Sequence, residues 1–268
     1  MLKIQEIVAV VVAASVLLAV FATWVMRSVG GSAPPLGSTQ SVPRPSPSDS
    51  VRARLDAPPK LAPFREAVAK SRTVLVIGDS SGDERGEWVD LWAQDLAINR
   101  KVTYRQWDSV EGFTGSPKVY GTSKPYGSDK PVEIWNLSYQ GVEADYAENL
   151  IDVPVKPDAV ILNVGHDRDR RLLDRTISTT TDAVKQRWGE VSTALVLQEP
   201  STGGDAKSQE AAVLRVRSLA IKYGEPVIDV HAAFLKDDDL EDLLVDGRRP
   251  NQRGSRVWAD AVTAALAD

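Results

Sequence analysis

The sequence predicts an α/β domain with a mainly parallel sheet, preceded by one transmembrane helix and a flexible tether. Three observations lead there. Residues 7–26 form a charge-free apolar run long enough, as a helix, to cross the hydrocarbon core of a bilayer. A tract rich in proline, serine and glycine follows it. Beyond residue 60, short β-branched runs alternate with longer amphipathic stretches, the pattern of βα units whose strands pair in parallel.

The chain divides accordingly into an anchor at 1–27, a linker at 28–60 and a folded domain at 61–268. The apolar run is longer than the roughly 7–15 residues of a secretory signal core, which favours a retained anchor. Lys3 ahead of the run and the small residues 30–33 behind it keep a cleaved signal peptide as the alternative. The domain is therefore expected outside the cytoplasm, held at the membrane, or secreted if the segment is removed. The linker has almost no large apolar side chains and cannot bury enough surface to fold.

Within the domain, TVLVIGD precedes EWVDLWAQDLA, VEIWN precedes ADYAENL, and DAVILNVG precedes a polar helix running through Trp188. ALVLQ then precedes EAAVLRVRSLAIKYG, and PVIDV precedes a terminal helix whose apolar face carries Val257, Trp258, Ala261 and Val262. Residues 108–130 read as a long glycine-bearing loop flanking a substrate groove. Its Phe113, Tyr120 and Tyr126 either anchor the loop or stack on a sugar. Residues 236–242 read as an acidic helix start, because the glycine and ligand spacing of a calcium loop are missing.

Composition excludes several classes of function. The net charge is −5, and the first 58 residues hold five basic against three acidic side chains, so the acidic excess lies in the folded part. That balance argues against a nucleic-acid partner. The absence of cysteine removes thiolate nucleophiles, disulfides and cysteine-ligated metals. With His166 and His231 as the only histidines, a histidine-rich metal site is not expected, and no cofactor is called for.

In open parallel sheets the working residues sit beyond the carboxyl ends of the strands. Four such loops hold unusual residues. The first is Gly78-Asp79-Ser80, which projects a serine from the sheet edge, or simply caps the helix that starts near Glu87. The second, Asn136-Leu137-Ser138-Tyr139-Gln140-Gly141, offers a glycine whose backbone N–H can approach a ligand closely. The third is Gly165-His166-Asp167-Arg168-Asp169. The fourth, running from Asp246 through Arg249, Asn251 and Arg253 to Gly254, lies just ahead of the terminal helix.

In this order and spacing the four loops resemble the blocks of the SGNH, or GDSL, hydrolase family, over roughly residues 72–268. GEWVDLWAQDLA and RPNQRGSRVWADAV are also similar to stretches of bacterial members. The resemblance implies a three-layer, flavodoxin-like fold and a serine hydrolase acting on acyl esters of small molecules, envelope glycans or lipids. It implies Ser80 as nucleophile, the Ser80 and Gly141 N–H groups as oxyanion donors, and Asp246 as the acid that orients a histidine base.

Two positions depart from the family pattern. Arg249 stands where the family has its histidine, and Asp167 stands at the asparagine of the oxyanion site. A serine hydroxyl needs a base to take its proton, and a guanidinium cannot serve. A carboxylate would repel a developing oxyanion. His166 is a substitute base if it reaches Ser80; otherwise it satisfies a local hydrogen bond. His231, beside Ala232, Ala233 and Phe234, reads as structural. Arg249 either pairs with Asp246 or joins Arg248 and Arg253 in a site for an anion. That second outcome would make the domain a non-catalytic binding module of the same fold.

Overall fold

A computed structural model describes residues 60–108, 110, 112–121, 130–140, 146–166 and 170–267. The expected anchor, nearly all of the linker, Gly141, Asp167 and Tyr126 lie outside the described residues. Among the described residues no helix is long and apolar enough to cross a membrane.

The domain opens with helix α1 (Ala62–Lys70), followed by β1 (Thr73–Gly78), α2 (Trp88–Leu96), β2 (Val102–Gln106), β3 (Lys118–Tyr120) and β4 (Val132–Ser138). After α3 (Tyr146–Asn149) come β5 (Ala159–Asn163), α4 (Arg170–Trp188), β6 (Ser192–Leu197), α5 (Ala206–Tyr223) and β7 (Val227–Asp229). The chain ends with α6 (Val230–Phe234), a short hairpin of β8 (Leu244–Val245) and β9 (Arg249–Pro250), and α7 (Gln252–Leu266).

Seven strands form one sheet in the order β3-β2-β4-β1-β5-β6-β7. All neighbours run parallel except β2 with β3. Taken in chain order, β1, β4, β5, β6 and β7 lie in the spatial order 2-1-3-4-5, the flavodoxin-like arrangement. The chain leaves β1 toward the β4 edge and crosses back to β5, so the switch point lies between the carboxyl ends of β1 and β5. That crevice is where open α/β sheets bind their ligands.

Alternation along β1 explains the three layers. Val74 and Val76 pack into a cluster with Phe64 and Val68 of α1, Trp88 and Trp92 of α2, Phe234 of α6, and Trp258 and Val262 of α7. Leu75 and Ile77 point the other way, toward Tyr146 of α3, Leu173 and Ile177 of α4, and Val216 and Leu219 of α5. A strand buried on both faces reads as a continuous apolar run, as TVLVIG does. Trp88 and Trp258 stack with centroids 5.6 Å apart and planes 7° apart, and Phe234 meets Trp258 edge-on at 6.2 Å. Arg256 of α7 also pairs with Asp95 of α2. These contacts clamp the terminal helix to the helix that follows Ser80.

The structure corrects the sequence reading in three places. Residues 108–130 are not all loop, since β3 lies within them and pairs antiparallel with β2. There Tyr120 donates its hydroxyl to Asp90, and buried Phe113 meets Trp135 edge-on at 4.9 Å, so both anchor the segment. Residues 236–242 form a turn and then a 3-10 helix (Leu240–Leu243) that leads into the β8–β9 hairpin. Helix α1 and strand β2 had no counterpart in the predicted elements. In α1 only Phe64 and Val68 are buried, and β2 (VTYRQ) mixes polar with apolar residues and is only partly buried.

Candidate active site

Ser80 occupies a half-buried turn two residues past the end of β1, at the switch point. The turn is held by its neighbour Asp79, whose carboxylate is 1% exposed. One oxygen accepts from the Ser81 hydroxyl at 2.8 Å and the Ser81 N–H at 3.3 Å. The other accepts from the N–H groups of Gly165 and His166, both at 3.1 Å, and from the Gln198 side chain at 2.9 Å. A buried carboxylate is tolerable only when hydrogen-bonded in this way. Asp79 therefore ties the loops after β1, β5 and β6 into one rigid edge.

Buried amides extend the hub. Asn163, the last residue of β5, donates to the Ser81 hydroxyl at 2.9 Å and accepts from Gln198 at 3.0 Å. Asn136 of β4 donates to the Gly82 carbonyl at 2.7 Å and contacts the Tyr104 hydroxyl and the Gln106 side-chain oxygen. Gly78 is glycine for steric reasons, since a Cβ there would sit 2.5 Å from the Ser138 hydroxyl. A Cβ at Gly165 would meet the Gln198 oxygen at 2.8 Å.

On the β2–β4 side, a cleft of about 300 Å³ is lined by Asp83, Arg85, Tyr104, Gln106, Trp107 and Lys118 among others. Asp83 lies three residues past the serine, and burial, opposed by a hydrogen bond from the Gln140 N–H, pushes its carboxyl up to about 6. Burial likewise pushes Glu87, at the start of α2, up to about 7, helped by the charges of Asp83 and Glu84. Asp90 goes the other way. Its burial is outweighed by hydrogen bonds from Tyr120 and Gly86 and by the Lys118 charge, so it lies below its ordinary value.

The fourth predicted loop is a tight hairpin. Asp246 and Gly247 have φ of 56° and 72°, and the Arg248 N–H reaches the Val245 carbonyl at 3.1 Å. Positive φ at both central residues is what a type I′ turn requires, and Asp-Gly suits it. The hairpin docks on the loop after β6 through Thr202 N–H to Gly247 O at 2.7 Å. Asp246 faces Arg249 at 3.2 Å, both about half exposed. Arg248 pairs with Asp205 at 3.2 Å, and Arg253 with Asp237 at 2.8 Å. The three arginines face separate carboxylates rather than converging on one anion site.

His166 lies at the switch point, its side chain 2% exposed, with Nδ1 2.9 Å from an oxygen of Glu199, which is 0% exposed. Burial pushes the Glu199 carboxyl up from its ordinary value, opposed by the proximity of His166. His231 instead sets its Nδ1 3.1 Å from the Gln198 carbonyl, a structural contact. Asn163, Gln198 and Glu199 were not singled out from the sequence. Their signal was a polar residue closing an otherwise apolar strand, as in VILN and LVLQE. Among the described residues no cluster of side chains could hold a metal ion.

Three loops joined at the β1–β5 crevice, with a serine on the first, complete a flavodoxin-like α/β fold. The chain is similar to the solved lipase/acylhydrolase of Enterococcus faecalis, with 16% identity, 73% of this chain and 95% of that chain covered, and a TM-score of 0.51. A lipolytic protein of the G-D-S-L family from Desulfitobacterium hafniense (19% identity, 72% and 99% covered, TM-score 0.47) is more distantly similar. So is an acetylxylan esterase from Geobacillus stearothermophilus (18% identity, 74% and 94% covered, TM-score 0.48). No protein-family model matches the chain, and no curated protein does.

Proposed function

We propose that this chain is an SGNH-type serine ester hydrolase, with Ser80 as nucleophile, held outside the cytoplasm by residues 7–26. The observation that carries this reading is the position of Ser80 at the switch point, on a turn fixed by the buried Asp79 hub. The fold shared with a lipase/acylhydrolase supports it. The substrates are acyl esters, of small molecules or of envelope glycans or lipids. The adjacent cleft, with Tyr104 and Trp107 beside Arg85 and Lys118, suits a polar, partly planar group attached to the acyl chain. The Ser80 and Gly141 N–H groups would receive the oxyanion, with Asp167 at the position where the family has an amide donor.

The test is p-nitrophenyl acetate hydrolysis by the full-length chain in detergent, compared with Ser80→Ala. Turnover that falls to background in the variant is expected. Equal rates in the two proteins would rule Ser80 out as nucleophile.

A second reading, a non-catalytic module of the same fold that binds glycan or other ligands, is favoured by one observation. Asp246 is engaged by Arg249 in an exposed hairpin, leaving no histidine at the usual position. On that reading wild type is inert toward esters, and Arg249→His restores turnover.

A further inference from the structure

We propose that His166, oriented by Glu199, is the base that activates Ser80, replacing the histidine missing from the C-terminal loop. This rests on the hydrolase reading above and supplies its missing proton acceptor.

Strand register sets the arrangement. Gly78 of β1 lies beside Asn163 of β5, and Leu162 of β5 beside Leu195 of β6. Ser80 is two residues past Gly78, His166 is three past Asn163, and Glu199 is four past Leu195. The three residues thus leave neighbouring strands at nearly one level, in the spatial order serine, histidine, glutamate. The Asp79 carboxylate locks that order. It belongs to the residue before Ser80, accepts the N–H of His166, and accepts the side chain of Gln198, the residue before Glu199.

The chemistry of Glu199 points the same way. A fully buried carboxylate is costly, and among the described side chains the group set against it is His166, with Nδ1 2.9 Å from one of its oxygens. A carboxylate on Nδ1 fixes the tautomer that leaves Nε2 as the proton acceptor, and stabilises the imidazolium once formed. Among the described residues the charged side chains set against His166 are Glu199 of the β6 loop, at Nδ1, and Asp79 of the β1 loop, at the backbone N–H.

In the reaction, Nε2 takes the Ser80 proton as Oγ bonds to the acyl carbon and the carbonyl π pair moves to oxygen. Collapse of that adduct breaks the ester C–O bond, and the leaving alkoxide takes the proton back from the imidazolium. Water then repeats both steps on the acyl-serine, releasing the acid and restoring Ser80.

The experiment compares wild type, His166→Asn, Glu199→Gln and Ser80→Ala as full-length chains, with circular dichroism as the fold check. His166→Asn is expected to lower kcat by about 10³-fold or more. Glu199→Gln is expected to lower kcat far more than it changes KM. It also moves the acidic limb of the kcat/KM profile to lower pH, because the carboxylate that favours the imidazolium is gone. A purely structural pair would not move that limb. Should His166→Asn misfold, the limb shift in folded Glu199→Gln decides. Ser80-dependent turnover that survives both substitutions with an unmoved limb overturns the relay and leaves the hydrolase intact. A wild type without Ser80-dependent turnover removes the hydrolase reading, and the relay with it.

Discussion

Asp79 shows how much of the site one side chain organises. Its carboxylate takes five hydrogen bonds from three loops, and each bond to a charged acceptor contributes roughly 1.5–3 kcal/mol net. Asp79→Asn sets an amide N–H₂ against some of those donors. It is expected to lower the unfolding free energy by about 3 kcal/mol or more, read by urea denaturation, and unchanged stability would contradict the hub. Glu87 gives a prediction of opposite character. Its folded value is raised from 4.5 to about 7, so between those limits the folded chain keeps a proton that the unfolded chain has released. That stability is fully present below about pH 4.5 and is lost as pH rises through about 7. Glu87→Gln should flatten the decline between pH 5 and 8 by about 1–2 kcal/mol, allowing for its partial exposure. A slope identical to wild type would show that other groups carry it.

At the scale of elements, the terminal helix α7 positions the hairpin that precedes it through the Trp88–Trp258 stack and the Phe234 edge contact. Trp258→Ala empties a fully buried site and is expected to cost about 3–5 kcal/mol. Thermal melting reads it, and a loss under about 1 kcal/mol would mean that the helices close over the gap. This element was legible in the sequence because Val257, Trp258, Ala261 and Val262 repeat at helical spacing. Strands β1, β5 and β6 were legible for a related reason, since central parallel strands are apolar throughout. Strand β3 was not, because three partly exposed edge residues leave no periodic trace. The Asp246-Gly247 hairpin was written in its turn residues, but the motif around it drew the reading toward catalysis instead. Glu199 was illegible for a deeper reason. Its partner lies 33 residues earlier in the chain, and only the β5–β6 register brings the two together.

For the whole molecule, the 2-1-3-4-5 order makes the β1–β5 crevice the place where chemistry belongs, and Ser80 stands in it. The expected histidine is missing from the outer hairpin, while a buried histidine–glutamate pair sits beside the crevice. The domain therefore gathers Ser80, Asp79 and the His166–Glu199 pair at one sheet edge, and the hydrolase proposed above depends on Ser80 being activated there. The most direct test is intact-mass analysis of the full-length chain after exposure to an alkyl fluorophosphonate, which phosphonylates an activated serine with loss of fluoride. One adduct, mapped to the peptide containing Ser80 and absent from Ser80→Ala, is the predicted result; an unmodified wild type, or an adduct that persists in Ser80→Ala, would contradict the assignment of Ser80 as an activated nucleophile.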